Sequence, residues 1–468
     1  MAAGVGLLLA ALALAASSSA RARPLTTGFA DGLFADVSPQ VRDYWFDRTV
    51  DAGAGIVRIG LGWSGVANPV PPANPTNPAD PGYDFSHIDA AVRDGAARGL
   101  QVMLTVNGAP GWAEGPDRPP TSAAPPGTWK PDPTLFAAFG RAVATRYSGA
   151  FRPSFGSPPL PPVRYYQAWN EPNLHTYLTP QWDRGRVASP AHYRRMLNAF
   201  YDAVKGVNGQ NRVVTAGTAP YGTRRGGKLM RPLRFWRALL CLRTKRTGEL
   251  EPRKCSDPPR FDIAAHHPIT GAPRSRADHR DDAVIPDLRR LRRIIRKAER
   301  SGRALPRERH PLWVTEIWWE SDPPDPAGVR VRKQARWIAE AFYLIWRQGV
   351  RTAILLKVRD EPTDPRADEG SLHSGVFYVD ATPKPSFSAT RFPFVTERRS
   401  RRKLIAWGRA PRSGRLVIER RGANGWRPLR GFAVTAGEAF TAMVPARRPA
   451  RFRAVVGGES SLSWHQRR

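Results

Sequence analysis

The sequence predicts an α/β protein, a (β/α)8 TIM barrel with a small C-terminal antiparallel β domain. The first observation is that, between residues 23 and 395, apolar strand-like runs alternate with helical segments eight times. Such alternation indicates a parallel sheet, and eight strand–helix units close it into a barrel. The second is that helical periodicity stops beyond residue 395, where short strand-like runs are separated by Gly, Pro and Asn. That texture is typical of antiparallel β structure.

The predicted barrel strands are short runs rich in apolar and β-branched residues. They cover 28–34, 56–60, 101–107, 165–173, 212–217, 261–267, 312–317 and 353–358. Helices are predicted at 41–50, 88–99, 135–147, 192–207, 288–303 and 332–348, and a basic insertion at 221–259 contains a further helical piece. In 288–303 apolar residues recur at Leu288, Leu291 and Ile294 with arginines on the other face, which indicates one buried stripe.

The chain is long and strongly basic. Its 468 residues, 41% of them hydrophobic, suffice for one large domain and a smaller one. The 73 Lys+Arg residues against 40 Asp+Glu give a formal net charge of +33 at pH 7. That charge fits a polyanion partner, either nucleic acid or an acidic polysaccharide, or a generally basic surface. Because the basic residues occur in every segment and no zinc-finger or ribonucleoprotein signature occurs, we favour the basic surface and expect no specific nucleic-acid partner.

The first 22 residues have the composition of a secretory signal peptide. An uncharged Ala/Leu-rich run precedes small residues suited to cleavage, although no Lys or Arg comes before it. No later segment is long and apolar enough to cross a bilayer, so a secreted protein without membrane association is expected, with an uncleaved anchor as the alternative. The expected domains are the signal peptide 1–22, a catalytic (β/α)8 domain 23–395 and a β-rich domain 396–468, which serves packing or carbohydrate binding.

The two cysteines, Cys241 and Cys255, both lie in the insertion. Two cysteines alone make no metal or redox motif, so neither a metal nor a cofactor is expected from them. In an exported protein a disulfide across this loop is favoured over two free thiols.

Two glutamates stand where predicted strands stop. Glu171 directly precedes Pro172, which favours an extended conformation for Glu171 and ends the fourth strand. Glu316 stands near the end of the seventh strand. Strands four and seven lie on opposite sides of a closed eight-stranded barrel, so their carboxylates can face each other across a bound sugar. Glycoside hydrolysis needs such a pair, one to protonate the leaving oxygen and one to attack the anomeric carbon or activate water.

These stretches resemble a known group. The Trp-Asn-Glu-Pro sequence 169–172, together with 313–319 around Glu316, is similar to the retaining glycoside hydrolases of clan A. The most similar members are the cellulase family and the β-xylosidase/α-L-iduronidase family, and the resemblance covers about residues 25–395. It implies that Glu171 is the general acid/base, that Glu316 is the nucleophile and that Asn170 hydrogen-bonds the sugar 2-hydroxyl.

Further positions follow from the same resemblance. Arg58, at the end of the predicted second strand, matches an arginine beside the nucleophile, with a structural ion pair as the alternative. His267 matches a His-Pro pair after strand six, although Ile269 stands where an aromatic is usual, and a buried barrel histidine is the alternative. Trp112 resembles a loop residue that lines the sugar cleft, and Trp318 a stacking platform; each is otherwise a core residue.

The eighth strand departs from the pattern. Related barrels place a tryptophan beneath the reactive sugar there, whereas this chain has Leu355 and Leu356. The expected function is a secreted retaining glycoside hydrolase that cleaves O-glycosidic bonds of an oligosaccharide, polysaccharide or glycoside by double displacement. The alternative is a catalytically silent carbohydrate-binding barrel.

Overall fold

The computed structural model describes residues 23–67, 69–223, 226–363, 371–445 and 449–466. The predicted signal peptide 1–22 lies outside these ranges. Within them, no helix combines the length and the apolar character that crossing a bilayer requires.

Eight parallel strands form the barrel. They are β1 (Thr26–Ala30), β2 (Ile56–Gly62), β3 (Gln101–Asn107), β4 (Tyr165–Ala168), β5 (Arg212–Thr215), β6 (Ala264–His266), β7 (Leu312–Ile317) and β8 (Thr352–Leu356). Their order around the sheet is β6-β7-β8-β1-β2-β3-β4-β5. Parallel bridges from Val214 to Ile263 and from Thr218 to His266 connect the two ends of this order. The predicted (β/α)8 barrel is therefore confirmed.

Within the described ranges, eight α-helices of seven or more residues accompany the strands. They are α1 (Pro39–Asp51), α2 (Ser86–Ala97), α3 (Pro133–Arg146), α4 (Ser189–Val207), α5 (Pro232–Leu239), α6 (Leu288–Arg300), α7 (Val331–Arg347) and α8 (Pro385–Arg391). α3 begins where Asp132 accepts hydrogen bonds from the Thr134 and Leu135 N–H groups, with Pro133 in the first turn, a common helix start. The stripe predicted for α6 is buried, including Leu288, Leu291 and Ile294.

The barrel interior changes character along its axis. At the amino-terminal ends of the strands it holds an apolar cluster that includes Ile56, Met103 and Trp313. Two residues further along the same strands stand Arg58, Thr105 and Thr315, whose side chains are buried and polar. Since alternate residues of a strand share a face, this polar layer lies directly above the apolar one, towards the carboxyl ends of the strands.

The C-terminal β domain contains two antiparallel sheets. One pairs β9 (Phe394–Arg398), β10 (Lys403–Arg409) and β13 (Ala439–Pro445); the other includes β11 (Gly414–Gly422), β12 (Gly425–Val434) and β14 (Ala450–Val456). Trp407 of β10 is buried against Tyr343 and Trp346 of α7, with ring centroids 5.6 and 5.8 Å away. This aromatic contact packs the domain on the barrel. The predicted C-terminal antiparallel domain is confirmed.

Two local expectations have definite outcomes. Cys241 and Cys255 form a disulfide, as predicted, with an S–S distance of 2.04 Å. Arg58 does not end the second strand, because β2 continues to Gly62. Arg58 instead lies within β2, opposite Ala30 of β1 and Met103 of β3, and its side chain extends into the barrel interior.

Candidate active site

The chain makes a sharp turn after β4, and this turn places Glu171. The φ angle is +79° at Trp169 and +34° at Glu171, so the expectation that Pro172 holds Glu171 extended is wrong. Positive φ is costly for residues with a side chain and persists where neighbouring contacts over-determine it. Here the Glu171 N–H donates to the Gly217 carbonyl at 3.0 Å, and the Leu174 N–H donates to the Glu171 carbonyl at 2.9 Å.

The residues around this turn point in different directions. The Trp169 ring packs outward against Phe136 of α3, with ring centroids 5.4 Å apart, and its Nε1 donates to the Tyr177 carbonyl at 2.8 Å. Asn173 fastens the loop to its neighbours, because its side chain accepts from the Ala219 N–H and donates to the Met230 carbonyl, both at 2.9 Å. Trp169 and Asn173 thus hold the turn from outside the barrel, and the carboxyl group of Glu171 faces the barrel mouth.

A β-bulge places the second glutamate. Between β7 and β8, Val314 pairs with Ala353 whereas Ile317 pairs with Leu355, so three residue steps on β7 span two on β8. Successive side chains of a regular strand point to opposite faces, and a bulge re-aims one of them. As a result Thr315 and Glu316, neighbours in the chain, both make contacts inside the barrel.

His267 contacts both of the chain segments that carry the glutamates. Its Nδ1 lies 2.8 Å from Oε1 of Glu171 and its Nε2 lies 3.0 Å from Oγ1 of Thr315. The Thr315 hydroxyl also accepts from the Gln167 amide, at 3.3 Å, which leaves its own proton for Nε2 of His267. The imidazole proton is therefore assigned to Nδ1, which donates to Glu171. A Cβ on Gly217 would overlap this imidazole ring, so the ring position requires glycine there.

Arg58 connects the remaining polar groups. Its Nη1 donates to Oε2 of Glu316 at 3.2 Å, and its Nη2 donates to Oδ1 of Asn170 at 2.7 Å. Its Nε donates to Thr105 and Gln167, at 3.0 and 2.9 Å. The buried guanidinium thus has both an anionic partner and neutral acceptors, which is what a buried charge requires.

The two glutamates have different surroundings. Burial raises the pKa of Glu171 to about 7, against the opposing effect of the Arg58 charge. Burial also disfavours the charged form of His267 and lowers its pKa to about 4, so the imidazole is neutral near neutral pH. Glu316 forms an ion pair with Arg58, whose Nη1 lies 3.2 Å from Oε2 of Glu316. The site therefore holds a carboxyl group with a raised pKa beside a glutamate that is paired with an arginine.

The carboxyl groups are also close together. One oxygen of Glu171, one of Glu316 and a ring nitrogen of His267 all lie within 4.8 Å of one another. Inverting glycosidases separate their carboxyl groups by about 6.5–9.5 Å and retaining ones by about 5–5.5 Å. The same three atoms are near enough to share a metal ion, but Arg58 already supplies positive charge to Glu316. The arrangement suits proton transfer and nucleophilic attack.

Of the predicted site residues, Glu171, Glu316, Asn170, His267 and Arg58 meet in this network. Outside it, Trp112 is half-buried with its ring 5.7 Å from that of Trp63, edge to face. Trp318 is half-buried, and its Nε1 is enclosed without a hydrogen-bond partner among the described residues. At the end of β8, Leu356 is half-buried, and Lys357 beyond it pairs with Glu361.

Sequence reasoning missed Tyr177. Burial, followed by the charges of Glu171 and Glu316, raises the pKa of Tyr177 to about 12, which places its hydroxyl beside the two glutamates. Thr315, Gln167 and Gly217 were also not singled out. Thr315 directly precedes Glu316, and two consecutive residues of a regular strand point to opposite faces. Because Glu316 was taken as the residue that faces the barrel interior, no sequence signal marked Thr315.

Comparison with known proteins shows which solved structures have a similar fold. No protein-family model matches the chain, and no curated protein matches it. A family 39 glycoside hydrolase from the gut symbiont Bacteroides cellulosilyticus WH2 has a similar structure, with 17% identity and a TM-score of 0.54 over 91% of this chain and 81% of that one. A glucosidase from Croceicoccus marinus is similar with 14% identity and a TM-score of 0.51, covering 92% and 94% of the two chains.

A GH39 β-xylosidase from Caulobacter crescentus has 15% identity and a TM-score of 0.51, covering 92% of this chain and 98% of that one. At such low identities the similarity establishes the fold. The chain has the architecture of these solved glycoside hydrolases, a (β/α)8 barrel followed by a β domain.

Proposed function

We propose that the chain is a retaining glycoside hydrolase that cleaves O-glycosidic bonds by double displacement. The observation that carries the proposal is the Glu171–Glu316 pair, whose oxygens lie within 4.8 Å at the carboxyl ends of β4 and β7. Their environments differ, since burial raises the pKa of Glu171 whereas Glu316 is paired with Arg58. Such a division of roles between two carboxyl groups is how glycosidases assign acid and nucleophile.

In the first half of the reaction Glu171 protonates the leaving glycosidic oxygen while Glu316 attacks the anomeric carbon. The C–O bond to the leaving group breaks and an ester bond between the sugar and Glu316 forms. Arg58 orients the attacking carboxylate. Because Nδ1–H of His267 occupies Oε1 of Glu171, the proton for the leaving group resides on Oε2.

In the second half Glu171, now a carboxylate, takes a proton from water. The water oxygen attacks the anomeric carbon, the ester bond to Glu316 breaks, and both glutamates return to their starting states. The neutral imidazole of His267 donates to Glu171 in either protonation state, and stabilises the carboxylate more because hydrogen bonds to charged groups are stronger.

The substrate is an oligosaccharide, a polysaccharide or a glycoside. Asn170 is proposed to bind the sugar 2-hydroxyl, and Trp112 and Trp318 are proposed as aromatic surfaces for the sugar. Leu356 replaces a flat aromatic ring beneath the sugar, so the fit there depends on apolar contact. The fold shared with solved glycoside hydrolases, including a glucosidase and a β-xylosidase, supports the enzyme class.

Turnover of a panel of aryl glycosides tests the proposal. Glu316→Ala is expected to lower kcat by at least about 10³-fold. Glu171→Gln is expected to lower kcat/KM strongly for poor leaving groups but much less for 2,4-dinitrophenyl glycosides, whose leaving group needs little proton donation. Glu320→Gln is the matched control, because this carboxylate follows β7 and lies outside the network. Full turnover by Glu316→Ala would contradict the assignment of Glu316 as the nucleophile. No turnover of any glycoside by the wild type would favour a catalytically silent carbohydrate-binding barrel.

The chain is further proposed to be secreted. The apolar, small-residue composition of residues 1–22 supports export, and a Cys241–Cys255 disulfide suits an oxidising compartment. Amino-terminal sequencing of protein from the culture medium tests this: a mature chain beginning near residue 23 is expected, and full retention inside the cell would contradict it.

A further inference from the structure

The end of the barrel opposite the glutamates carries a concentration of arginines. A cavity of about 410 Å³ there is lined by Arg23, Arg292, Arg296, Arg309 and Arg351. Arg351 directly precedes β8, and Leu312, the first residue of β7, also lines the cavity, which places it at the amino-terminal ends of the strands. It is thus separate from the site at the carboxyl ends of β4 and β7.

These cations approach one another closely. The position that a Cβ on Gly349 would take lies within 3.1 Å of Nη1 of both Arg23 and Arg292, so the two guanidinium groups meet over that glycine. Burial, followed by the charges of Arg296 and Arg23, lowers the pKa of Arg292. Like charges brought together in a cavity repel one another, and a bound anion would relieve that repulsion.

Nearby carboxylates do not neutralise the cluster. None of the five arginines forms an ion pair with a carboxylate of the described residues; the one acid lining the cavity, Glu299, instead accepts from the backbone N–H of His310 at 2.8 Å. The His310 side chain also lines the cavity, fully buried, and its Nε2 has no hydrogen-bond partner in the described part of the chain. Nδ1 of His310 lies 3.4 Å from Oε1 of Glu299, which is an acceptor, so Nε2 is the acceptor of the ring and lacks a donor such as the hydroxyl group of a hydrogen phosphate.

The cavity adjoins a larger one. A second cavity of about 520 Å³ at the same end shares Arg309 and Arg351 and is lined additionally by Arg164 and Arg212. In this second cavity the carboxylate of Asp262 already has partners, because it forms an ion pair with Arg212 and accepts a hydrogen bond from the Val213 N–H at 2.7 Å. The planar fork of arginine matches phosphate, sulfate and carboxylate oxygens with two parallel hydrogen bonds.

We propose that this end of the barrel is a binding site for a multiply charged oxyanion of the phosphate or sulfate class, separate from the glycosidase site. The anion bridges the guanidinium groups that converge over Gly349, and Arg309 and Arg351 extend the site to the neighbouring cavity. The ligand is either a free anion or the charged group of a phosphorylated or sulfated polymer, two sources with the same recognition chemistry.

The test is anion-dependent stabilisation of the full chain. Melting temperatures are measured with millimolar phosphate, pyrophosphate or sulfate against chloride at equal ionic strength, and binding heats are measured for pyrophosphate. A saturable rise of several degrees is expected, because a ligand that binds only the folded state stabilises it. Heparin and long-chain polyphosphate form the polymer arm.

Arg309→Ala/Arg351→Ala is the informative variant, because both side chains are exposed and their loss should leave the fold intact. It is expected to lose at least tenfold in affinity for the anion. Arg289→Ala/Arg300→Ala removes two exposed charges from α6 outside the cavity and should retain binding. Binding of the polymers alone, still dependent on Arg309 and Arg351, identifies the polymer source. No saturable effect of any anion, or equal binding by both double variants, overturns the proposal.

Discussion

Thr315 and Glu316 are consecutive residues of one strand, yet both side chains enter the same buried network. Thr315 meets His267 at 3.0 Å and Glu316 meets Arg58 at 3.2 Å. The register shift between β7 and β8 makes this possible. The bulge therefore lets a single strand supply both the carboxylate and the hydroxyl that sets the tautomer of His267, which in turn contacts Glu171.

The loss of activity at alkaline pH should follow the deprotonation of Glu171. Since burial raises its pKa to about 7, the carboxyl group loses its proton, and with it the ability to act as an acid, as the pH rises through that value. We expect kcat/KM to fall about tenfold per pH unit above 7 for aryl glycosides with poor leaving groups. In Glu171→Gln, assayed with dinitrophenyl glycosides, this decrease should vanish. Undiminished wild-type activity up to pH 9 would contradict the role of Glu171 as the acid.

Glu171→Gln should also stabilise the protein at alkaline pH. The folded pKa is about 7 and the ordinary value is 4.5, so between these values the unfolded chain releases a proton that the folded chain retains. Stability is therefore lost as the pH rises through this window, by up to about 3 kcal/mol above pH 7, and no penalty remains below pH 4. Urea unfolding should show Glu171→Gln as the more stable variant at pH 8 and equal to wild type at pH 4; a constant difference would refute the shift.

Gly217→Ala should damage catalysis without touching a charged group. The added methyl group would overlap the His267 ring, so the imidazole must move and its hydrogen bond to Glu171 must lengthen. A displacement of about 1 Å in such a site can cost about 10²-fold in rate, and we expect a drop in kcat of about 10–100-fold. Gly209→Ala is the matched control, because no atom lies within 4 Å of its added carbon. Equal kcat values for the two variants would show that His267 is not constrained there.

Arg58 should contribute to the stability of the folded chain. Arg58→Met leaves Glu316 as a buried carboxylate without its cation, which typically costs about 3–5 kcal/mol. Arg58→Lys keeps the charge but not the forked geometry and should cost less, about 1–3 kcal/mol. Chemical unfolding measures both, with Arg48→Met as the control, because its ion pair with Asp51 is exposed and should contribute under about 1 kcal/mol. A cost for Arg58→Met as small as that of the control would exclude the structural role of Arg58.

Removing the disulfide should affect stability but not chemistry. Cys241 and Cys255 are 14 residues apart, and closing a loop of that size contributes roughly 3 kcal/mol in the chain-entropy model. Cys241→Ser/Cys255→Ser should lower the melting temperature while kcat stays within about twofold of wild type. Thermal unfolding with and without reductant checks this, and the reductant should have no effect on the double variant.

The barrel strands and most helices could be predicted because their periodicity is local. The prediction for β7 matches its observed bounds, Leu312–Ile317. Beyond residue 395 the strand-like runs that the sequence predicts are 404–407, 415–419, 440–444 and 452–456. They do not include β12 (Gly425–Val434), which contains two glycines and a proline and buries little beyond Phe432. The conformation of Glu171 was predicted wrongly, because the preference imposed by Pro172 is weaker than the contacts with Gly217 and Leu174.

The sequence by itself determined the barrel and the presence of Glu171 and Glu316 at its carboxyl-terminal end, because strand order and strand ends follow from local patterns. Only the tertiary structure decided that the pKa of Glu171 is raised, since that depends on how deeply its carboxyl group is buried. The arginine cavity was likewise invisible in the sequence. Its arginines lie far apart in the sequence, from Arg23 to Arg351, and only the packing of the barrel brings them together. Basic residues that are evenly distributed along the chain therefore form a local concentration of positive charge in the folded structure.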